Sequence, residues 1–295
     1  MIKKTLYFGN PVRLKLKHNQ LRVILEDETE KTIPIEDIGF VIIDHYHAMI
    51  THNLLAELLN NNVAVITTNR QHLPTGWFMP LAGNTEQGES FRTQLELAVP
   101  AKKRIWQQTV KAKIKNQAGL LDQIGIQGHY LHSLVKDVAS DDATNKEAVA
   151  AKTYWAHLFA GMGFKRHREG DAPNNLLNFG YAILRGVVAR ALCGTGLLPM
   201  VGVHHRNRYN AFPLADDIME PYRPFVDEIV WNLSRKYEDL ECLTPELKKP
   251  LLEIPAIGVS MKGEAKPLHL AAARTASSLK KHMENNKEKI VYPVL

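Results

Sequence analysis

Hydrophobic and polar residues alternate through the first part of the chain. Val12, Leu14 and Leu16 are separated by charged residues, and Leu21, Val23 and Leu25 resume the period after the polar His18-Asn19-Gln20. A period of two predicts hairpin strands with one buried face. Ile33 and Ile35 extend the pattern beyond a polar turn at Asp27 to Glu30. Phe40-Val41-Ile42-Ile43 is continuously apolar, as in a strand buried on both faces. Leu54, Leu55, Leu58 and Leu59 have helical spacing within His52 to Asn61, and Val63 to Ile66 reads as another buried strand. Residues 1–81 are therefore expected to form a small β-rich domain, β-sandwich-like, with one helix.

Residues 82–90 are polar and aperiodic, with two glycines, Asn84 and Thr85, and read as a linker. From Phe91 onward helical periodicity dominates. Trp106, Val110, Ile114, Ala118 and Leu121 form an apolar stripe, with Arg104, Lys111 and Lys115 on the opposite face. That charged face, taken alone, reads as a solvated outer surface. Leu177, Gly180, Leu184, Val187, Val188 and Ala191 make a stripe too apolar for a surface helix. It predicts the central helix of a larger, all-α domain over residues 91–295, and an α+β protein overall.

The composition, 45% apolar and 23% charged over 295 residues, excludes disordered and fibrous classes. Lys plus Arg number 37 against 31 Asp plus Glu, a net charge of +6. The excess is uneven. Residues 1–85 hold eight basic and eight acidic side chains, whereas residues 91–140 hold eight basic and three acidic. A basic block beside a neutral one points to a polyanion-binding face on the helical part. Two cysteines, Cys193 and Cys242, are too few for a disulfide framework or a cysteine zinc site. Gly9, Pro11 and Arg13 interrupt any signal-peptide core, and no uncharged run reaches membrane-spanning length. A cytoplasmic protein is expected.

No P-loop, nucleophile elbow or His-Glu-x-x-His motif occurs. Gly194-Thr-Gly196-Leu-Leu-Pro199 has dinucleotide-like glycine spacing, but it follows a helix and has proline at the third glycine position. Three other places could carry chemistry. Thr144-Asn-Lys-Glu147 opens a helical run through Ala150, Tyr154, Trp155 and Leu158, and alone it reads as a capping box. His204-His205 lies in a polar stretch. Asp216-Asp217-Ile-Met-Glu220 enters a helix whose spacing would bring Glu220 near both aspartates. Such like charges need a cation or a basic partner, and Arg223 is one candidate. Carboxylates with one imidazole suit Mg²⁺ or Mn²⁺ better than structural zinc. Beside phosphates, that cation would stabilise a phosphodiester transition state. The residues thus point to a metal-dependent enzyme acting on nucleic acid.

Asn174-Asn-Leu-Leu-Asn178-Phe-Gly-Tyr181-Ala-Ile-Leu-Arg185, Gly194-Thr-Gly-Leu-Leu-Pro199, Gly202-Val-His-His205 and Asp216-Asp-Ile-Met-Glu220-Pro-Tyr-Arg223-Pro resemble the CRISPR-associated adaptation integrases. Glu147-x-x-x-Ala151-x-x-Tyr154-Trp155 matches the family's other signature. The compact length and the Asp-Ile-Met-Glu-Pro-Tyr-Arg-Pro string resemble the type II branch. The resemblance implies Glu147, His205 and Glu220 as catalytic metal ligands for Mg²⁺ or Mn²⁺, with Asp217 supporting them. It implies that a DNA 3′-hydroxyl attacks a phosphodiester at the leader–repeat junction. It also implies a homodimer, with dimerisation and partner contacts on the N-terminal domain, and a complex with a small second adaptation protein and double-stranded DNA. Arg104, Lys111, Lys115, Lys165, Arg166 and Arg168 are candidate phosphate contacts by charge. Two rival readings are a nuclease or junction resolvase using the same site with water, and a non-catalytic DNA-binding scaffold.

Overall fold

A computed structural model describes residues 3–70, 72, 74–80, 83–167, 169–205, 207–285 and 288–295. The chain divides into two compact units, Met1–Gly83 and Asn84–Leu295. The first contains β1 (Lys4–Phe8), β2 (Arg13–Lys17), β3 (Gln20–Ile24), β4 (Glu30–Pro34), β5 (Ile38–Ile43), β6 (Met49–Ile50), α1 (His52–Asn60), β7 (Ala64–Thr68) and β8 (Pro74–Phe78). These strands form two four-stranded sheets, ordered β1-β5-β7-β8 and β4-β3-β2-β6. In the antiparallel pair of β2 and β3, Leu14 lies opposite Val23 and Leu16 opposite Leu21. Val12, Leu14, Leu21 and Val23 join Ile38, Val41, Leu54, Leu58, Val63 and Val65 in one core. Alternating positions thus face the core, and the continuous run of β5 is covered on both faces, with Phe40, Val41 and Ile42 all buried.

Three local expectations shift. Leu25 lies beyond the end of β3, and Ile35 leaves β4 for a short 3-10 turn, Ile35–Asp37. Strands β1 and β8, which the hydrophobic pattern does not mark, occupy the two edges of their sheet. Edge strands bury less on each face, so their sequences carry a weaker alternation.

The second unit is mostly helical: α2 (Gln87–Leu95), α3 (Val99–Gln123), α4 (His129–Asp137), α5 (Lys146–Leu158), α6 (Asn174–Gly194), α7 (Pro213–Met219), α8 (Arg223–Lys236), α9 (Pro245–Leu252) and α10 (Leu268–Asn285). The expected linker, whose residue 82 lies outside the described residues, gives way to helix at Gln87. The all-α expectation is also amended by a hairpin, β9 (Gly258–Met261) and β10 (Glu264–Pro267). Lys262 and Gly263 at its turn both have positive φ, 54° and 80°, the left-handed backbone that tight hairpins use.

The α3 stripe is buried throughout, from Trp106 to Leu121. Helix α6 packs against α7, α8, α9 and α10. It is long and apolar enough by composition to cross a membrane, but 72% of that stretch is buried within the unit. Residues 288–295 form a strap along α3. Thr109 Oγ1 meets Tyr292 Oη at 2.8 Å, and Asn116 Nδ2 donates to Pro293 O at 3.0 Å.

Gly180 sets the approach of α6 to α8, since a Cβ there would lie 2.5 Å from Val226 Cγ1. Gly180→Ala should therefore destabilise the protein by about 1–3 kcal/mol through overpacking, despite alanine's better helix propensity. Chemical denaturation measures this, and a stabilised variant would show that the two helices separate easily.

Candidate active site

Lys113, halfway along α3, places its ammonium between two carboxylates from other elements. Nζ lies 2.6 Å from Glu147 Oε1 and 2.6 Å from Glu220 Oε2. Glu147 is in the first turn of α5, and Glu220 begins the 3-10 turn Glu220–Tyr222 between α7 and α8. The Glu220 side chain is only 6% exposed. Its Oε2 is near the ammonium but receives no aligned hydrogen bond, so the contact is ionic and not directional. Oε1 accepts from Arg223 Nε at 2.8 Å. Burial alone would push the Glu220 carboxyl up, but Arg223 and Lys113 outweigh it and hold the pKa down at about 2.

The capping box is not formed. The α5 cap is Asn145, in left-handed conformation, with no capping bond from a side chain there. Asp142 serves the helix instead: its two carboxylate oxygens accept from Lys146 N and Glu147 N, both at 2.9 Å. Substituting for the capping box in this way releases the Glu147 side chain toward Lys113.

The acidic trio keeps a helical backbone through Glu220, with φ −51° and ψ −45°, but its carboxylates take separate partners. Asp216 accepts from Arg185 through both oxygens, at 2.5 and 2.8 Å. Asp217, fully buried, accepts from the backbone N–H groups of Val203, His204 and His205 at 2.7, 3.1 and 3.1 Å. It thereby organises the histidine loop. Gly202 leaves room for this, as a Cβ there would lie 3.2 Å from Asp217 Oδ2 and 2.8 Å from Pro213 Cβ.

His205 Nδ1 is 2.5 Å from Asp217 Oδ1. Because a carboxylate only accepts, Nδ1 carries the proton of the neutral ring and Nε2 keeps its lone pair, the arrangement common for metal-ligating histidines. The hydrogen bond to Asp217 raises the His205 pKa against the opposing effect of burial. His204 turns elsewhere: its ring stacks on Trp106 at 4.0 Å between centroids, 4° from parallel.

The structure therefore brings Glu147 and Glu220 to one cation and fixes His205 through Asp217. Among the described residues, no three His, Cys, Asp or Glu side chains stand close enough to hold a metal as arranged. The donor chemistry nevertheless fits Mg²⁺ or Mn²⁺. Two carboxylates already meet at a positive charge, Glu220 Oε2 lacks a directional donor, and the His205 ring is held by its other nitrogen.

Several groups missed in sequence reading support this arrangement. Lys113 is one of several lysines on α3 and carries no motif of its own, and neither does Asp142. Asn116 Nδ2 donates to Pro221 O at 2.7 Å, next to Glu220, while also holding Pro293 O. Tyr222 Oη and Thr275 Oγ1 meet at 2.6 Å. Behind the site, Tyr154 and Tyr181 donate to Asp227 at 2.8 and 2.5 Å, and the Arg223 guanidinium lies 4.4 Å from the Tyr181 ring centroid.

The basic candidates separate. Arg104, Lys111 and Lys115 line one groove of about 600 Å³, joined by Lys289 and His282. Lys165 is exposed on a different segment. Arg166, chosen as a phosphate contact by charge, gives its donors to Asn174 Oδ1 and Asn178 Oδ1, each at 2.8 Å, and so acts as an internal tie. Arg168 lies outside the described residues.

Burial pushes the Asp227 carboxyl up to about 7, against its tyrosine hydrogen bonds and the nearby arginines. The folded state thus holds this proton more tightly than the unfolded chain, where the ordinary value is 3.8. Its stabilising contribution is present at low pH and is lost as pH rises from about 4 to about 7. Asp227→Asn should remove that part of the fall in Tm over this range. An unchanged slope would assign the fall to other groups.

Residues 6–241 match the family model of the CRISPR associated protein Cas1. A CRISPR-associated endonuclease Cas1 from Neisseria meningitidis serogroup C (strain 8013) is 37% identical over 252 residues, covering 85% of this chain and 82% of that relative. The fold is similar to a casposase bound to integration product, with a TM-score of 0.79 at 20% identity over 97% of this chain and 92% of that one. It is also similar to a chain in a Cas6-RT-Cas1–Cas2 complex, with a TM-score of 0.74 at 21% identity over 99% of this chain and 36% of that one. With a family model matching most of its length and a relative of this identity matched across both chains, the chain belongs to the Cas1 family of CRISPR-associated proteins.

Proposed function

We propose that this chain is a metal-dependent DNA integrase of CRISPR adaptation, of the type II branch. It joins the 3′-hydroxyl of short spacer-precursor DNA to a phosphodiester at the leader–repeat junction. The observation that carries the reading is the meeting of Glu147 and Glu220 at one largely buried cation. Family membership, and the likeness of its fold to a casposase bound to integration product, support the integration chemistry.

Glu147, Glu220 and His205 Nε2 would hold Mg²⁺ or Mn²⁺, which when bound polarises the phosphate and stabilises developing charge on its oxygens. Asp217 keeps His205 in one tautomer and fixes the loop that presents it. The reaction exchanges one phosphodiester for another. A bond forms between the attacking 3′-oxygen and phosphorus, and the junction's phosphorus–O3′ bond breaks. The proton lost by the nucleophile balances the one gained by the leaving oxygen, so no external energy source is required. Arg104, Lys111, Lys115 and Lys289 line a groove whose charge suits a DNA backbone. Homodimerisation and a small second adaptation protein complete the proposed assembly; the second protein is supported by the similar fold of a chain in a Cas6-RT-Cas1–Cas2 complex.

Glu147→Ala and Glu220→Ala should each abolish strand transfer while the folded protein still binds DNA. Substrate with blocked 3′ ends should stop product formation by the unaltered protein, whereas a hydrolytic nuclease would continue. Full integration by Glu220→Ala would remove the site assignment. DNA affinity should fall steeply with added salt. Replacing both Lys111 and Lys115 with Gln should reduce the slope of log K against log salt by about 2, through loss of two phosphate contacts. An unchanged slope would place the duplex on another face.

A further inference from the structure

Lys113 has a second surrounding that the ion pairs do not explain. Its side chain also lines a partly open cavity of about 150 Å³ beside α3, α5, α6 and α8, where the Glu220 and Asp227 carboxyls stand against the guanidinium groups of Arg166 and Arg223 and where Gln117 and Tyr181 complete the lining. Gln117, one turn along α3, is 3% exposed, and its Oε1 has no hydrogen-bond partner. Buried acceptors are seldom left unsatisfied, because they lose their water without a replacement. Here a buried, unpartnered acceptor belongs to a residue that borders the same cavity as the flexible Lys113 side chain, one turn away on α3.

We propose that Lys113 is a resident counter-cation, which yields the space between Glu147 and Glu220 to the divalent metal and withdraws its ammonium into the cavity toward Gln117 Oε1. The inference rests on the metal-site reading above. An ammonium 2.6 Å from both carboxylates stands where a divalent ion would have to bind. Two cations that close repel strongly in a poorly solvated site. Lysine's four-carbon stem allows the head to move while its backbone stays in the helix. Arg223 stays with Glu220 through Oε1, so this carboxylate keeps one basic partner throughout. Lys113 is thus a positioning residue: it holds the ligands together without metal and lowers metal affinity by competing for them.

The test is Mn²⁺ binding without DNA, read from the electron paramagnetic resonance signal of free Mn²⁺, for the intact chain, Lys113→Met, Gln117→Leu and the double variant. Lys113→Met should bind Mn²⁺ about tenfold more tightly, since no internal cation has to be displaced. Gln117→Leu should bind about threefold more weakly, because the withdrawn ammonium loses its acceptor. In the Lys113→Met background, Gln117→Leu should have no further effect. Unchanged or weaker binding by Lys113→Met overturns the inference, as does an equal Gln117→Leu effect in both backgrounds. Should Lys113→Met fail to fold, Gln117→Leu decides alone, and unweakened binding overturns the inference. Absence of Mn²⁺ binding by every folded protein overturns the metal reading as well, whereas the preceding outcomes leave that reading intact.

Discussion

Two ionised carboxylates from different elements cannot share a poorly solvated point unless a positive charge joins them. Like charges 4 Å apart repel by about 4 kcal/mol at an effective dielectric of 20, before the cost of removing each from water. Glu147 and Glu220 meet this requirement through Lys113, and Glu220 has Arg223 as well. The site is therefore a balance of fixed charges in which a cation is obligatory. The lysine makes the pair compatible with a stable fold, and the same pair of carboxylates is what the proposed divalent ion would use.

Helix α3 connects the parts of this arrangement. Its apolar stripe anchors it in the core, and different polar positions serve different neighbours. Lys113 and Gln117 turn toward the carboxylates and the adjoining cavity, while Thr109 and Asn116 secure the strap of residues 288–295. Asn116 also holds Pro221 O, tying the turn that carries Glu220 to the same helix. Arg104, Lys111 and Lys115 face the basic groove. One rigid element thus carries both the charge that organises the site and the charges suited to a phosphate backbone. On the opposing side, Asp217 fixes the loop carrying His205.

Hydrophobic periodicity made the architecture legible where elements are buried on a clear face, as in β2, β3, β5, α1 and α3. It was silent for β1 and β8 at sheet edges, where partial burial imposes only a weak pattern, and for the β9–β10 hairpin, whose alternation rests on just Val259 and Met261, too short a run to stand out among helices. The carboxylates and histidines were visible as residue types, but their partnerships were not. Asp216, Asp217 and Glu220 sit close in sequence yet serve Arg185, the histidine loop and Lys113 separately. Thr144 and Glu147 satisfied a capping pattern whose role belongs to Asp142. Lys113 was hidden among neighbouring lysines, because its importance comes from residues 34 positions away and more. Arg166 shows the converse, since its charge suggested a surface contact while its donors are taken by Asn174 and Asn178.

Glu147, Glu220 and His205 are the proposed ligands of one divalent cation. Anomalous diffraction from a crystal of the protein soaked in Mn²⁺ tests this assignment most directly. A single strong peak is expected about 2.1 Å from a carboxylate oxygen of Glu147, one of Glu220 and Nε2 of His205. A peak elsewhere, with the Lys113 ammonium still seated between the two glutamates, would contradict it.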